Sequence, residues 1–289
     1  MRQSVQYIRG NNFIVNIVKA DLHIHSTISD GSDTIGQIID KARNRGLDAI
    51  AITDHDTMSH MAQIPTVTDI QVIAGVEISA AHRKPQKNTK AHILGYNIQK
   101  PGIITALTQP ILEARNKTSE NQAGILMNAG FFIDMTKLPR ADGKYLYKQH
   151  IMDWLVATGQ APDMLGEFYQ KIFKDGGICD FDIDDHYIDA FEAIKAVKEA
   201  GGLAVLAHPG QQQNFWLIPQ LVRSGLDGLE LNHHTNSQKD KEAILNYASH
   251  YRLFLTGGSD YHGKYEPQLL GDFLSAESGV NAICSPVYL

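Results

Sequence analysis

Two short stretches carry the most distinctive chemistry of this chain: Asp21-Leu22-His23-Ile24-His25-Ser26 and Thr53-Asp54-His55-Asp56. Residues two apart in a strand point to one face. His23 and His25 are therefore expected to project together, and Asp54 and Asp56 likewise. Apolar runs at 13–18 and 49–52 precede them. The same event recurs along the chain, where an apolar run meets a metal-capable side chain at Glu77, His92, His208, His233, and Asp260 with His262. A single strand-end histidine is more often a hydrogen-bonded structural residue, and a single loop aspartate a turn former. The recurrence of His-x-His, Asp-His-Asp and Asp-x-His favours one shared metal centre.

Imidazole suits zinc, iron or manganese, while carboxylates pull toward harder ions. A mixed set without thiolate favours Mn, Fe or Zn and leaves Mg as an option. His23, His25, Asp30, His55, Glu77, His92, His208, Asp260 and His262 are more ligands than one or two tetrahedral ions need, so the set has room for two to three divalent ions. Glu77, with two carboxylate oxygens, is the natural bridge. Multinuclear sites of this kind clamp the oxygens of an in-line phosphoryl displacement and activate water.

These residues must be positioned by strands and helices in alternation. Strands are expected at 48–53, 71–79, 91–98, 203–207, 228–232 and 253–256, beside the one ending at His25. Gly75 within the third marks a close backbone approach. Ile35, Ile38, Ile39 and Ala42 have helical spacing, with Asp33 as N-cap and Gly46 as the stop. After Pro101 the rhythm breaks into helical stretches at 109–129, 150–157 and 162–173 with little strand signal. Helices return at 187–200, 215–224 and 237–250. Strands alternating with helices imply βα units and a parallel sheet. Only a closed or nearly closed barrel brings the ends of seven strands to one rim. The expected division is a barrel from 13–100 and 182–289 and a helical insertion, 101–181, that covers the active site.

Composition narrows the function. Across 289 residues the net charge is −6, so no basic face for duplex nucleic acid is advertised. A small anionic substrate is still compatible, because bound ions make a site cationic. Two cysteines, Cys179 and Cys284, make neither a CxxC pair nor a disulfide framework, which fits a reducing cytoplasm. No apolar run has transmembrane length and no leader pattern opens the chain.

Together with Ser29-Asp30-Gly31, Gly75-Val76-Glu77-Ile78-Ser79, Ala207-His208-Pro209 and Gly258-Ser259-Asp260-Tyr261-His262, the two opening stretches resemble the ordered motifs of the PHP (polymerase and histidinol phosphatase) superfamily. The resemblance implies an α/β fold, a distorted (β/α)7 barrel, with up to three divalent ions. Carried over, His23, His25, Glu77 and Asp260 hold the first ion, Asp30, His55 and His262 the second, and Glu77, His92 and His208 the third. Asp21 and Asp54 would orient histidines. Asp54, Glu77 and His208 make up the expected catalytic set, with His208 or a metal-bound water as donor to the leaving oxygen. His92-Ile93-Leu94-Gly95-Tyr96, the insertion and the 200–210 stretch resemble a branch acting on nucleoside 3′,5′-bisphosphates and short oligonucleotides. In that branch the insertion supplies basic residues to the substrate phosphates, which points here to Arg115, Lys148 and His150, with Arg140 and Lys144 weaker. His233 is expected to face the site and His234 to face away.

The expected activity is hydrolysis of a small phosphorylated substrate, a nucleotide above all, by a metal-activated water. A histidinol-phosphate-type phosphomonoesterase, a metal-dependent amidohydrolase and a non-catalytic metal- or nucleotide-binding module are the rival readings.

Overall fold

A computed structural model describes residues 18–83 and 89–284. The apolar run at 13–17 lies outside them. The chain passes through β1 (Ala20–Ile24), α1 (Ile35–Asn44), β2 (Ala49–Ile52), β3 (Gln71–Ile78), β4 (Ala80–His82), β5 (Thr89–Lys90) and β6 (Ile93–Tyr96). Then come α2 (Pro101–Asn128), α3 (Lys148–Ala157), α4 (Glu167–Phe173), β7 (Ile188–Asp189), α5 (Ala190–Glu199), β8 (Leu203–Leu206) and α6 (Pro209–Gln212). The remainder is α7 (Ile218–Arg223), β9 (Gly228–Asn232), α8 (Gln238–Tyr251), β10 (Phe254–Gly257) and α9 (Glu277–Ile283).

The seven expected strands form one sheet in the order β1-β2-β3-β6-β8-β9-β10. All neighbours run parallel except at β6, which is antiparallel to both β3 and β8. The expected all-parallel sheet is corrected here. Among the described residues between β3 and β6 there is no crossover helix, only β4 and β5, which pair antiparallel. His92 therefore opens its strand instead of closing it, and reversal of β6 brings that start to the rim where the other strands end. Gly75 and Gly95 let β3 and β6 approach, since a Cβ on Gly75 would lie 2.9 Å from the Gly95 carbonyl oxygen.

The sheet is nearly closed. Between its edge strands, the His25 N–H donates to the Tyr261 oxygen at 2.9 Å and Ile24 bridges Tyr261 in parallel. At the opposite end the Ser275 N–H reaches the Ala20 oxygen at 2.8 Å. Gly258 sits where a Cβ would fall 2.3 Å from the His23 Cβ, so only glycine permits this approach.

β1 and β2 are buried along their whole length, as strands covered on both faces must be. Ala20 and Leu22 pack with Ala49, Ala51, Leu94, Tyr96 and Val205 inside the barrel, closed off by Val280 and Ile283 of α9. The β1–β2 register slips between Asp21 and Ile24. This bulge shifts the side-chain alternation. Ile24 consequently joins Ile35, Ile38 and Ile39 of α1 outside, and His23 and His25 turn toward the rim. The α1 cap is Thr34, in a reciprocal capping box with Gln37, and not Asp33.

The helices of the central stretch share an apolar core of their own, including Leu126, Leu146, Ile151, Leu155, Tyr169 and Phe173. α2 starts eight residues before the expected 109 and is continuous through 128. Its first half contributes Ile104 and Ile111 to the barrel-side core. A three-stranded sheet, β5-β4-β7, flanks this junction. Strands of two or three residues have too short a pattern to be read from sequence.

Candidate metal centre and its surroundings

Glu77 lies at the end of β3, buried, and five imidazoles converge on it from four segments of the chain. Its Oε1 is 2.8 Å from His92 Nδ1 and 2.9 Å from His208 Nε2. Its Oε2 is 3.2 Å from both His23 Nε2 and His25 Nε2, and 3.3 Å from His55 Nδ1. Asp260 Oδ1 lies 3.4 Å from His23 Nε2 and 3.1 Å from His25 Nε2. Asp30 Oδ1 lies 3.4 Å from His262 Nε2 and 3.7 Å from His25 Nδ1.

Among the described residues three groups emerge in which the candidate ligand atoms all lie within 4.8 Å of one another: His25, Asp30, His55 and His262; His23, His25, Glu77 and Asp260; and His55, Glu77 and His92. The four residues carried over for a first ion form one of these groups. The set for a second ion gains His25. In the third, His55 joins Glu77 and His92, and His208 stands beside His92 against Glu77 Oε1 while His55 meets Oε2. The donor set fits divalent cations on a further observation. Among the described residues, both ring nitrogens of His25, Nδ1 of His55, Oδ1 of Asp30 and Oδ1 of Asp260 are buried without a hydrogen-bond partner. Buried polar atoms are ordinarily satisfied, and these all converge on one centre.

The charges reinforce one another. Burial would raise the Glu77 carboxyl, but His55, His23, His92 and His208 outweigh it and hold it well below the usual carboxylate range. Asp30, beside His55 and His262, and Asp260, beside His23, His233 and His25, are held down against burial in the same way. Burial opposes protonation of His23 and His262, yet the adjacent carboxylates raise both well above the ordinary imidazole value. His25 and His208 are raised as well. Metal ions take neutral imidazole. Loading the metal-free protein at pH 7 is therefore expected to release protons, and apparent affinity to fall as pH is lowered through the raised histidine values. Calorimetric titration with Mn2+ in two buffers of different ionisation enthalpy measures the release directly.

The backbone is strained where it delivers these groups. Asp56 (φ 59°), His208 (φ 26°) and Asp260 (φ 52°) occupy the left-handed region without being glycine. Such residues persist where their surroundings over-determine them.

Glu230, on β9, was not among the expected site residues. It is fully buried; its Oε1 is 3.0 Å from His23 Nδ1 and its Oε2 accepts the His208 N–H at 2.8 Å. One carboxylate thus fixes the His23 ring, leaving Nε2 for the centre, and pins His208 in its unusual backbone conformation. The signal was present in Gly228-Leu229-Glu230-Leu231-Asn232, where one acid interrupts a buried strand. Outer partners of this kind govern metal affinity by about 10–100-fold. Glu230→Gln is expected to weaken ion binding to that extent, measured by chelator competition.

Several expectations need correction. Asp54 does not face the centre. Its carboxylate accepts the Ser26 N–H at 2.7 Å, the Ser26 hydroxyl at 2.8 Å and the Ser29 hydroxyl at 2.7 Å, and lies 3.2 Å from His60 Nδ1. It organises the loop that carries Asp30. Asp21 likewise binds backbone, accepting from the N–H groups of His23, Ser259 and Gly271. Asp54 and Asp56 do not act together, because β2 stops at Ile52 and the left-handed turn at Asp56 breaks the alternation; His55 between them turns inward. His150 is spent on α3: its Nδ1 accepts the Tyr147 N–H at 3.2 Å. Burial pushes its imidazole down to about 4. His233 lies against Asp260: its Nε2 is 3.3 Å from Asp260 Oδ2 and its Nδ1 is 2.8 Å from the Thr235 hydroxyl.

Arg115, from α2, donates to Asp56 Oδ2 at 3.0 Å and to the Ser79 hydroxyl at 2.8 Å. Its guanidinium carbon lies 5.1 Å from the centre of the Tyr147 ring, and its Nε is buried without a partner. Lys148 Nζ is 3.5 Å from Asp182 Oδ2. Arg115, Lys148, Gln149 and Asp182 line one small cavity. Arg140 lies away from it, paired with Glu120 at 3.2 Å.

The family model of the PHP domain matches residues 21–205. The chain belongs to the PHP family. A phosphoribosyl 1,2-cyclic phosphate 1,2-diphosphodiesterase from Eggerthella lenta is 41% identical over 252 residues, covering 85% of this chain and 94% of that protein. A 3′,5′-nucleoside bisphosphate phosphatase from Chromobacterium violaceum is 27% identical over 282 residues, covering 93% and 94%. The crystal structure of a protein from Bifidobacterium adolescentis, described there as a proposed metal-dependent phosphoesterase, superimposes with a TM-score of 0.77 at 27% identity, covering 91% of this chain and 94% of that one. This PHP protein is a phosphoesterase of the metal-dependent kind, with a nearly closed α/β barrel, as its motifs implied. Among the described residues no helix is long and apolar enough to cross a membrane.

Proposed function

We propose that this chain hydrolyses a phosphate ester in a compact ribose phosphate that bears a second phosphate. Phosphoribosyl 1,2-cyclic phosphate is the first candidate and nucleoside 3′,5′-bisphosphates the second. The observation that carries the reading is the placement of Arg115: Asp56 and Ser79 tie its guanidinium to the loops around the metal centre, and Lys148 shares its cavity. A reacting phosphate at the centre and a second one at Arg115 and Lys148 would make two anchors, which a ribose carrying two phosphates can span. The identity and coverage of the two curated relatives support the same substrate class.

Three ions, of Mn, Fe or Zn, would be held by His23, His25, Glu77 and Asp260, by Asp30, His55 and His262, and by Glu77 and His92, with only the Glu77 carboxylate shared, since a neutral imidazole gives its lone pair to one ion. Ions bound there supply charge neutralisation at the phosphoryl oxygens and an acidic water as nucleophile. Arg115 and Lys148 hold the remote phosphate, Arg115 with a directional fork and Lys148 as a point charge. Asp56 and Ser79 keep the Arg115 fork from turning away. His233 orients Asp260. His208, whose Nε2 lies 2.9 Å from Glu77 Oε1, would give a proton to the leaving oxygen. His208→Asn is expected to keep its metal and to lose most activity on substrates with poor leaving groups; loss of metal instead would make His208 a ligand only. The segment 101–181 acts as a cover that carries the phosphate contacts. The two free cysteines, Cys179 and Cys284, suit a reducing cytoplasm.

The test is phosphorus NMR on the Mn-loaded protein with phosphoribosyl 1,2-cyclic phosphate, a nucleoside 3′,5′-bisphosphate, AMP and histidinol phosphate in parallel. Fastest turnover of either of the first two is expected. Fastest turnover of histidinol phosphate would discard the two-phosphate reading.

A further inference from the structure

Gln149 is the second residue of α3, and its side chain leaves the central helices to touch the metal centre. Its Nε2 donates to Asp30 Oδ2 at 2.9 Å. The other oxygen, Asp30 Oδ1, is buried, has no donor among the described residues and faces His262 and His25. The two oxygens of this carboxylate are thus divided: one is bonded to an amide, the other is left to the centre. Asp30 sits on a loop held from below by Asp54, through Ser26 and Ser29. From above, the Asp142 N–H donates to the Thr27 oxygen at 3.2 Å. Gln149 completes that clamp at the ligand itself.

A neutral amide is well suited to this place. It supplies a directional donor, so it fixes the carboxylate's rotation without cancelling the charge that a cation needs. A lysine would satisfy the same oxygen and weaken the site for an ion. A carboxylate with no such partner is free to rotate and offer either oxygen or both.

We infer that Gln149 is a positioning residue that holds Asp30 as a one-oxygen ligand, and that it ties α3 to one of the three ion groups and not to the others. Only the group of His25, Asp30, His55 and His262 contains Asp30. Gln149 also lines the cavity of Arg115 and Lys148. The contact therefore joins the proposed phosphate anchor to the metal centre through a single side chain. The inference rests on the metal reading of the centre given above.

The experiment is a titration of metal-free protein with Mn2+ against a competing chelator, for the wild type, Gln149→Met and Gln149→Glu. Methionine keeps the length and removes the donor. Glutamate sets a second carboxylate against Asp30. The expected result is that one ion weakens about 10–100-fold in the methionine variant and at least as much in the glutamate variant. The remaining ions should keep wild-type affinity, and the methionine variant should melt like the wild type when metal-free. Unchanged binding of every ion by the methionine variant would overturn the inference. Equal weakening of all ions would overturn it too, since that marks general loosening. A wild type that binds no ion would overturn the metal reading, and this inference with it.

Discussion

Replacing Glu77 with glutamine is expected to lower kcat/KM by about 10³-fold or more and to remove at least one bound ion per chain. Glutamine keeps the shape of the side chain, and the Glu77 N–H bond to the Thr53 oxygen at 3.1 Å does not involve it. What changes is charge and donor pattern. Both oxygens of Glu77 face imidazole nitrogens within 3.3 Å. The amide turns one acceptor into a donor, and two of the three candidate groups lose their shared anion. Metal stabilisation of transition-state charge is worth several kcal/mol, and each 1.36 kcal/mol is a factor of ten in rate. Steady-state kinetics with elemental analysis of the purified variant checks both parts. Activity within tenfold of wild type, at full metal content, would show that Glu77 is not the hub of the centre.

Arg115→Met is expected to separate two classes of substrate. For a ribose substrate with a second phosphate, loss of charge-assisted bonds worth about 1.5–3 kcal/mol should lower kcat/KM by about 10–100-fold. For a phosphate ester without a remote phosphate the decrease should be much smaller. Arg115→Lys should recover part of the loss, because it restores charge but not the fork. The same variant carries a stability cost. Asp56 is fully buried and Arg115 is its cation partner at 3.0 Å. Breaking a buried pair by removing one member costs about 3–5 kcal/mol. Thermal melting of Arg115→Met against the double variant Arg115→Met/Asp56→Asn separates this cost from the kinetic one. An equal loss on both substrate classes would remove Arg115 from phosphate recognition.

Much of the centre was legible because its signals are local. Apolar runs that meet His, Asp or Glu identify strand ends regardless of what lies between them, and all seven large strands were found that way. Periodicity carries no direction, so it could not show that β6 runs backward or that His92 begins it. Strand alternation also assumes regular backbone. The bulge in β1 and the left-handed turn at Asp56 both break it, which is why Asp54 turned out to serve the Ser26–Ser29 loop. Buried carboxylates that orient ligands look like any acid in a strand, and Glu230 passed unnoticed among leucines. His150, a histidine at the matching place in a resembling segment, has its Nδ1 in a helix cap, which the sequence pattern did not show.

The measurement closest to the central claim is a titration of the metal-free protein with Mn2+, following ion uptake and hydrolysis of phosphoribosyl 1,2-cyclic phosphate in the same samples. The account predicts no turnover without ions, uptake approaching three per chain, and activity that rises with their occupancy. Full turnover by metal-free protein would contradict it, as would ions bound at other positions while the Glu77 histidines stay free to titrate.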